Sequence, residues 1–308
     1  MTEHASQRTL RESVGCIGVG LHTGARVALT LRPAAPGTGL VFVRTDGPHP
    51  VEIPARGEFV IDAALATTLG RGGVKIATVE HVLAALAGLG VDNCRVEVDG
   101  PEVPIMDGSA EPFVRLVHAA GLREQAAPRR YLAIRRPVTV TDGDKSAALL
   151  PAARFGVTYT IDFQHPLISD QSAALELDEP RFVRELASAR TFGFKRDVER
   201  LQRHGLALGG SLENAIVVDD FSILNPEGLR FPDEFVRHKI LDAIGDLALI
   251  GMPVLGRLVA VKSGHALNHE LVRAVLAEAA ASEIVEHDVR AALREPAPPA
   301  WRPVARAV

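Results

Sequence analysis

His238, Asp242 and Asp246 stand four residues apart in a run whose neighbours Phe235, Ile240, Leu241, Ile244 and Leu247 are apolar. Side chains spaced by four share one stripe of a helix, so this segment can bury itself only if that stripe meets something able to satisfy it. Pro232, followed by Asp233 and Glu234, marks the helix start. A His and an Asp at i and i+4 have β-carbons roughly 5–6 Å apart and can converge on one cation. The same spacing also describes a solvated face with an incidental His–Asp hydrogen bond.

A second signal is Thr78-Val-Glu-His81, where Thr78 reads as the N-cap of a helix over 79–90 with a broad apolar face from Val82, Leu83, Ala85, Leu86 and Leu89. If that helix is buried, two ionisable groups in its first turn need partners, and a metal supplies one. If its end is exposed, both point into water. Taken together, His81, His238 and Asp242 with Glu80 beside them make the donor set of an open catalytic zinc site, three protein ligands leaving a fourth position for water. Zinc brings the pKa of such a water down to about 7, and Glu80 is placed as its general base. Lys262-Ser-Gly-His265 ends a strand over 257–262 and precedes a helix over 266–279. His265 can serve there as the acid for a leaving amine, held by Asp246, or simply as a structural turn residue. His22 and His118 have no partner visible in sequence. The glycines from Gly15 to Gly20 do not sit between a strand and a helix, so they make a poor dinucleotide fingerprint.

A chain of 308 residues exceeds one ordinary core, which predicts two domains. Alternation at Val27, Leu29 and Leu31, a β-rich run over 39–46, a strand over 93–99 and a helix over 112–120 make the first, residues 1–125 with an insert at about 60–75. The polar, aperiodic stretch 123–130 reads as a linker. Residues 130–295 repeat the order: strands around 131–141 and 154–163, a helix over 180–190, a strand over 215–219 and two helices, with an insert at about 193–220. The class is α+β, two domains of one layered fold packed together, followed by a proline-rich tail at 296–308. A net charge of -4 gives no basic excess for nucleic acid. Cys16 and Cys94, the only two cysteines, make no paired spacing, so any metal falls to histidines and carboxylates. No leader or membrane-length apolar run is seen, and a cytoplasmic monomer is the expectation.

Seven motifs in order carry a resemblance over nearly the whole chain: Val19-Gly-Leu-His-Thr-Gly24, Thr78-Val-Glu-His81, Pro104-Ile-Met-Asp-Gly-Ser109, Ser188-Ala-Arg-Thr-Phe-Gly193, Gly209-Gly-Ser211, Phe235-Val-Arg-His-Lys-Ile-Leu-Asp242 and Lys262-Ser-Gly-His265. The chain resembles the bacterial UDP-3-O-acyl-N-acetylglucosamine deacetylases, zinc enzymes that release acetate in the committed step of lipid A biosynthesis. The resemblance implies one zinc on His81, His238 and Asp242, Glu80 as base, His265 with Asp246 as acid and support, and Thr191 as an oxyanion donor. It places the active site between the domains and makes the second insert an apolar passage for the acyl chain, lined by Val198, Leu201, Ala207, Leu212, Ala215 and Val217. Phe163 is implied on the uracil side, Lys239, Lys262 and Lys145 near the diphosphate, and Phe192, Leu65, Gly210 and Ser211 among the other substrate contacts. Ala66 departs from members that carry cysteine there. Two other readings stay open: a zinc amidase for a different acylated substrate, separated by whether the acyl chain matters, and a non-catalytic binding module, separated by metal content.

Overall fold

The computed structural model describes residues 6–286, so the tail expected at 296–308 lies outside the described residues. The period-2 pattern of Arg26–Pro33 buries Val27, Leu29 and Leu31 on one face. That strand belongs to a five-stranded sheet in the order Val14–Val19, Arg26–Pro33, Cys94–Val98, Leu40–Arg44, Val51–Pro54. Every pairing in it is antiparallel except that of Leu40–Arg44 with Cys94–Val98. A second sheet runs Val138–Asp142, Lys145–Leu150, Arg257–Val261, Gly156–Ile161, Gln171–Glu176. Its single parallel pair is again the one between the strand that arrives last in sequence and its neighbour. The two halves therefore share one strand order, including a late strand inserted at the centre, which gives body to the repeat of elements seen in the sequence.

Six helices occur among the described residues: α1 Glu80–Gly88, α2 Glu111–Ala120, α3 Glu179–Glu185, α4 Lys195–Arg203, α5 Glu234–Leu247 and α6 His265–Ala277. α5 and α6 lie on the second sheet, α2 lies against the first, and α1 packs on both α2 and α5. The apolar sequence of α1 is explained by this place at the seam, where every residue except Ala87 is buried. α5 is nearly as enclosed, and its Gly245 passes so close to the Glu80 carbonyl that a β-carbon there would overlap it. No helix among the described residues is long and apolar enough to cross a membrane.

Two local expectations are corrected. Thr78 is not an N-cap: α1 begins after Val79 with no side-chain cap, and Thr78, at φ 58, turns its hydroxyl to Glu102 Oε1 instead, 3.0 Å away. The stretch 123–130 is not a loose linker: Leu122–Pro128 is a strand paired antiparallel with Ser6–Leu10, followed at once by the strand Arg130–Ile134. The inserts are themselves ordered. The first is a three-stranded sheet, Val60–Asp62, Thr68–Arg71 and Val74–Ile76. The second sets α4 between the parallel strands Phe192–Phe194 and Ile216–Val218. It docks on the first half, with Leu208 and Gly209 N–H donating to the His22 and Leu21 carbonyls at 3.2 and 3.0 Å.

Candidate metal centre and its acid–base neighbours

α1 delivers Glu80 and His81 from its first turn, and α5 delivers His238 and Asp242 one turn apart. Because the two helices touch, His81, His238 and Asp242 offer donor atoms that all lie within 4.8 Å of one another, each from a buried residue. The exposed-end reading of the Glu80–His81 pair is thereby removed: each is 3% exposed. Asp242 Oδ1 stands 3.2 Å from His238 Nε2 and 3.5 Å from His81 Nε2 and has no hydrogen-bond donor among the described residues.

The protonation of His238 decides what this cluster is built for. Its Nδ1 lies 3.0 Å from the Ala189 carbonyl, which can only accept, so Nδ1 carries the proton. Burial pushes the His238 pKa down to about 3, so the ring is neutral and its Nε2 presents a lone pair. A lone pair and a carboxylate oxygen thus face each other across 3.2 Å. Two imidazoles and a carboxylate in that arrangement fit a divalent cation, and the Ala189 bond is the outer support that metal-ligating histidines use. Burial works against ionisation of Asp242, but the Lys239 ammonium, whose Nζ is 2.6 Å from Oδ2, together with the imidazoles around the carboxylate, outweighs it and holds the group well below the carboxylate range.

Around this donor set stand two groups whose proton affinities are both raised. Burial raises the pKa of Glu80, whose Oε2 accepts the Thr67 backbone N–H at 3.1 Å. His265 is the first residue of α6, its Nε2 3.9 Å from Glu80 Oε1 and 3.8 Å from Asp242 Oδ2. Burial alone would lower its pKa, but the Asp246 carboxylate 2.9 Å from Nδ1 overcomes that and lifts it to about 9. Asp246, fully buried, is held far below the ordinary range, burial being outweighed by His265 and the hydrogen bonds it accepts. Asn268 Nδ2 supplies one of these at 2.8 Å, oriented by the Ser263 hydroxyl on its Oδ1. Lys262, at φ 53, makes the left-handed turn that leads from the strand into α6.

A family profile described as UDP-3-O-acyl N-acetylglycosamine deacetylase matches residues 7–277. A curated protein of Myxococcus xanthus named UDP-3-O-acyl-N-acetylglucosamine deacetylase is 64% identical over 280 residues, 91% of this chain and 89% of its own length. Proteins of the same name from Anaeromyxobacter dehalogenans and Hahella chejuensis are 62% and 56% identical, each over 91% of this chain and over 90% and 93% of their own lengths. The chain belongs to this deacetylase family. As a family member it carries a candidate His-His-Asp metal site, and the remaining residues singled out in its sequence distribute around that site unequally.

Thr191 lies two residues past Ala189, half-buried, its backbone fixed by the Gly108 carbonyl and the Ile216 N–H. The Phe192 ring is 5.0 Å from Phe235 and 6.4 Å from His238, and Phe163 meets Phe192 edge-on at 5.5 Å, so an aromatic path leads away from the donor set. Lys239 is engaged by Asp242, and Lys262 by Asp144 and Asp162 at 2.9 and 2.8 Å. Lys145 is exposed, 3.9 Å from Asp142. Leu65 is 50% exposed on the first insert. In the second insert, Ala207 is buried, Val198, Leu201, Gly210, Ala215 and Val217 are half-buried, and Ser211 and Leu212 are exposed. Sequence reading missed Glu102, fully buried, whose oxygens take the His22 and Thr23 N–H groups, the Thr23 hydroxyl and Thr78. No local pattern announces it. Asn268 was findable, three residues after His265 on one helix face.

Proposed function

We propose that this chain removes the N-acetyl group of UDP-3-O-acyl-N-acetylglucosamine, as a zinc-dependent amide hydrolase of lipid A biosynthesis. The observation that carries the reading is the convergence of a neutral His238 and the carboxylate Asp242 with His81, next to a high-pKa Glu80 and a cationic His265. Zinc held by His81, His238 and Asp242 would supply Lewis acidity to the attacking water and the amide carbonyl. Glu80 takes a proton as water adds to the carbonyl carbon, and the Thr191 hydroxyl donates to the oxygen on which charge develops. His265 gives its proton to the departing amine nitrogen as the C–N bond breaks, leaving acetate and the free amino sugar. Asp246 keeps the ring oriented and charged.

The substrate's other parts meet the outlying residues. Phe163 and Phe192 give an aromatic surface toward the uracil side, and Lys239, Lys262 and Lys145 give positive charge for the diphosphate. Leu65, Gly210 and Ser211 are further substrate contacts, while Val198, Leu201, Ala207, Leu212, Ala215 and Val217 form apolar lining for the acyl chain, each buried methylene contributing roughly 0.8 kcal/mol. We read the chain as two domains dividing near 125–130, acting as a monomer in the cytoplasm, where UDP-sugars are used. The test is acetate release from the acylated nucleotide sugar with metal analysis and a chelator control. Release that is abolished by chelation and far slower without the acyl chain is expected. Equal rates with and without that chain favour a general amidase, and a metal-free protein without chelator-sensitive hydrolysis overturns the reading.

A further inference from the structure

Thr67, in the first insert, is fully buried and uses three of its atoms at once. Its N–H donates to Glu80 Oε2 at 3.1 Å, its carbonyl accepts the Val79 N–H at 3.3 Å just ahead of α1, and its Oγ1 lies 2.6 Å from Asp246 Oδ1 on α5. Oγ1 is also 2.9 Å from His269 Nε2.

The proton positions in this cluster follow from valence. Asp246 already receives His265 Nδ1 and Asn268 Nδ2 on Oδ2, and a carboxylate can only accept. The single hydroxyl proton of Thr67 therefore points to Asp246 Oδ1, and toward His269 the same oxygen acts as acceptor, so His269 carries its proton on Nε2. His269 Nδ1, buried and without a hydrogen-bond partner among the described residues, is then a lone pair rather than a stranded N–H. The direction of donation runs from His269 through Thr67 to Asp246.

We propose that Thr67 is a positioning residue for the amide hydrolysis, setting the separation between the base Glu80 and the acid's partner Asp246 by bonding both carboxylates from one rigid residue. This rests on the functional reading above. The two carboxylates come from different helices and different halves of the fold, and the reaction needs the base Glu80 and the acid His265 at one reacting centre, their Oε1 and Nε2 3.9 Å apart. A residue whose N–H and Oγ1 are a few bonds apart holds that spacing without the freedom of two long side chains, the form of pre-organisation whose loss slows a chemical step while leaving binding alone.

The test compares Thr67→Val, which keeps the shape and the N–H but removes the hydroxyl, with Thr67→Ser, which restores it, in metal-loaded full-length protein. Expected for Thr67→Val is a fall in kcat of roughly 10- to 100-fold with KM within about threefold and metal content unchanged. Thr67→Ser should recover most of the lost kcat. If Thr67→Val does not fold, as judged by its thermal melt, Thr67→Ala against Thr67→Ser makes the same comparison. Wild-type kcat in the hydroxyl-free variant, a change confined to KM, or an equal loss in Thr67→Ser overturns the proposal. A wild-type protein without chelator-sensitive acetate release overturns the functional reading instead, so the two failures are distinguishable.

Discussion

Glu80 must lose a proton to act as base and His265 must keep one to act as acid, and the structure raises the pKa of both, so the window in which the two states coexist is moved to higher pH. Burial raises Glu80, so its ionised form is lost as pH falls through that raised value, while His265, lifted to about 9 by Asp246 against the pull of burial, loses its proton only as pH rises past about 9. Activity should therefore be bell-shaped in pH, and Asp246→Asn should carry the alkaline limb to lower pH, which a kcat/KM profile checks. The sign for stability agrees: a His265 value above its ordinary 6.5 adds stability that is complete below about 6.5 and is lost as pH climbs through about 9. Glu80→Ala and His265→Ala should each slow turnover by about 10²–10⁴-fold with metal retained. His238→Ala should empty the site, as metal analysis on the purified variants will show. At this scale the His238, Asp242 and Asp246 stripe was legible because one helix fixes its spacing. Glu80 and His81 were legible only as a pair with two readings, since the burial that decides between them comes from α5. Thr191 came from resemblance, and Thr67 and Glu102 were invisible because their partners lie far along the chain.

Among the elements, α1 and α5 set the tolerance of the site. Gly245→Ala places a β-carbon against the Glu80 carbonyl, so the helices must part. It should cost about 1–3 kcal/mol in urea unfolding and weaken metal retention, because His81 then draws away from His238 and Asp242. The N-terminus of α5 is anchored by Glu234, fully buried, which takes the Arg190 N–H and guanidinium at 3.0 and 2.9 Å. Glu234→Ala leaves the Arg190 charge buried without its main partner and should cost about 3 kcal/mol or more, whereas Glu227→Ala, at an exposed partner of the same arginine, should cost far less. Equal losses in the two variants would remove the distinction. Helices with apolar or mixed faces were readable from periodicity. α4 was not, because its polar sequence buries no residue, and Leu122–Pro128 was not, because an edge strand with mostly exposed side chains shows little alternation.

For the whole molecule, the repeated strand order of the two sheets was only hinted at by the order of elements, since which strand enters the centre of a sheet is a long-range choice that no local pattern encodes. Removing the metal should lower the unfolding midpoint of the entire chain, the stability lost being about 2.7 kcal/mol where the free ion stands at 100 times its Kd, and matching midpoints with and without chelator would rule this out. The seam between α1 and α5 has a wider consequence. His81 belongs to one half and His238 and Asp242 to the other, so an ion there acts as a rivet whose grip measures how tightly the halves are closed. By reciprocity, a substitution that pries them apart at Gly88, where α1 lies on the Phe182 ring, should weaken the ion's binding without touching a ligand, and loading the ion should in turn protect that far contact from opening.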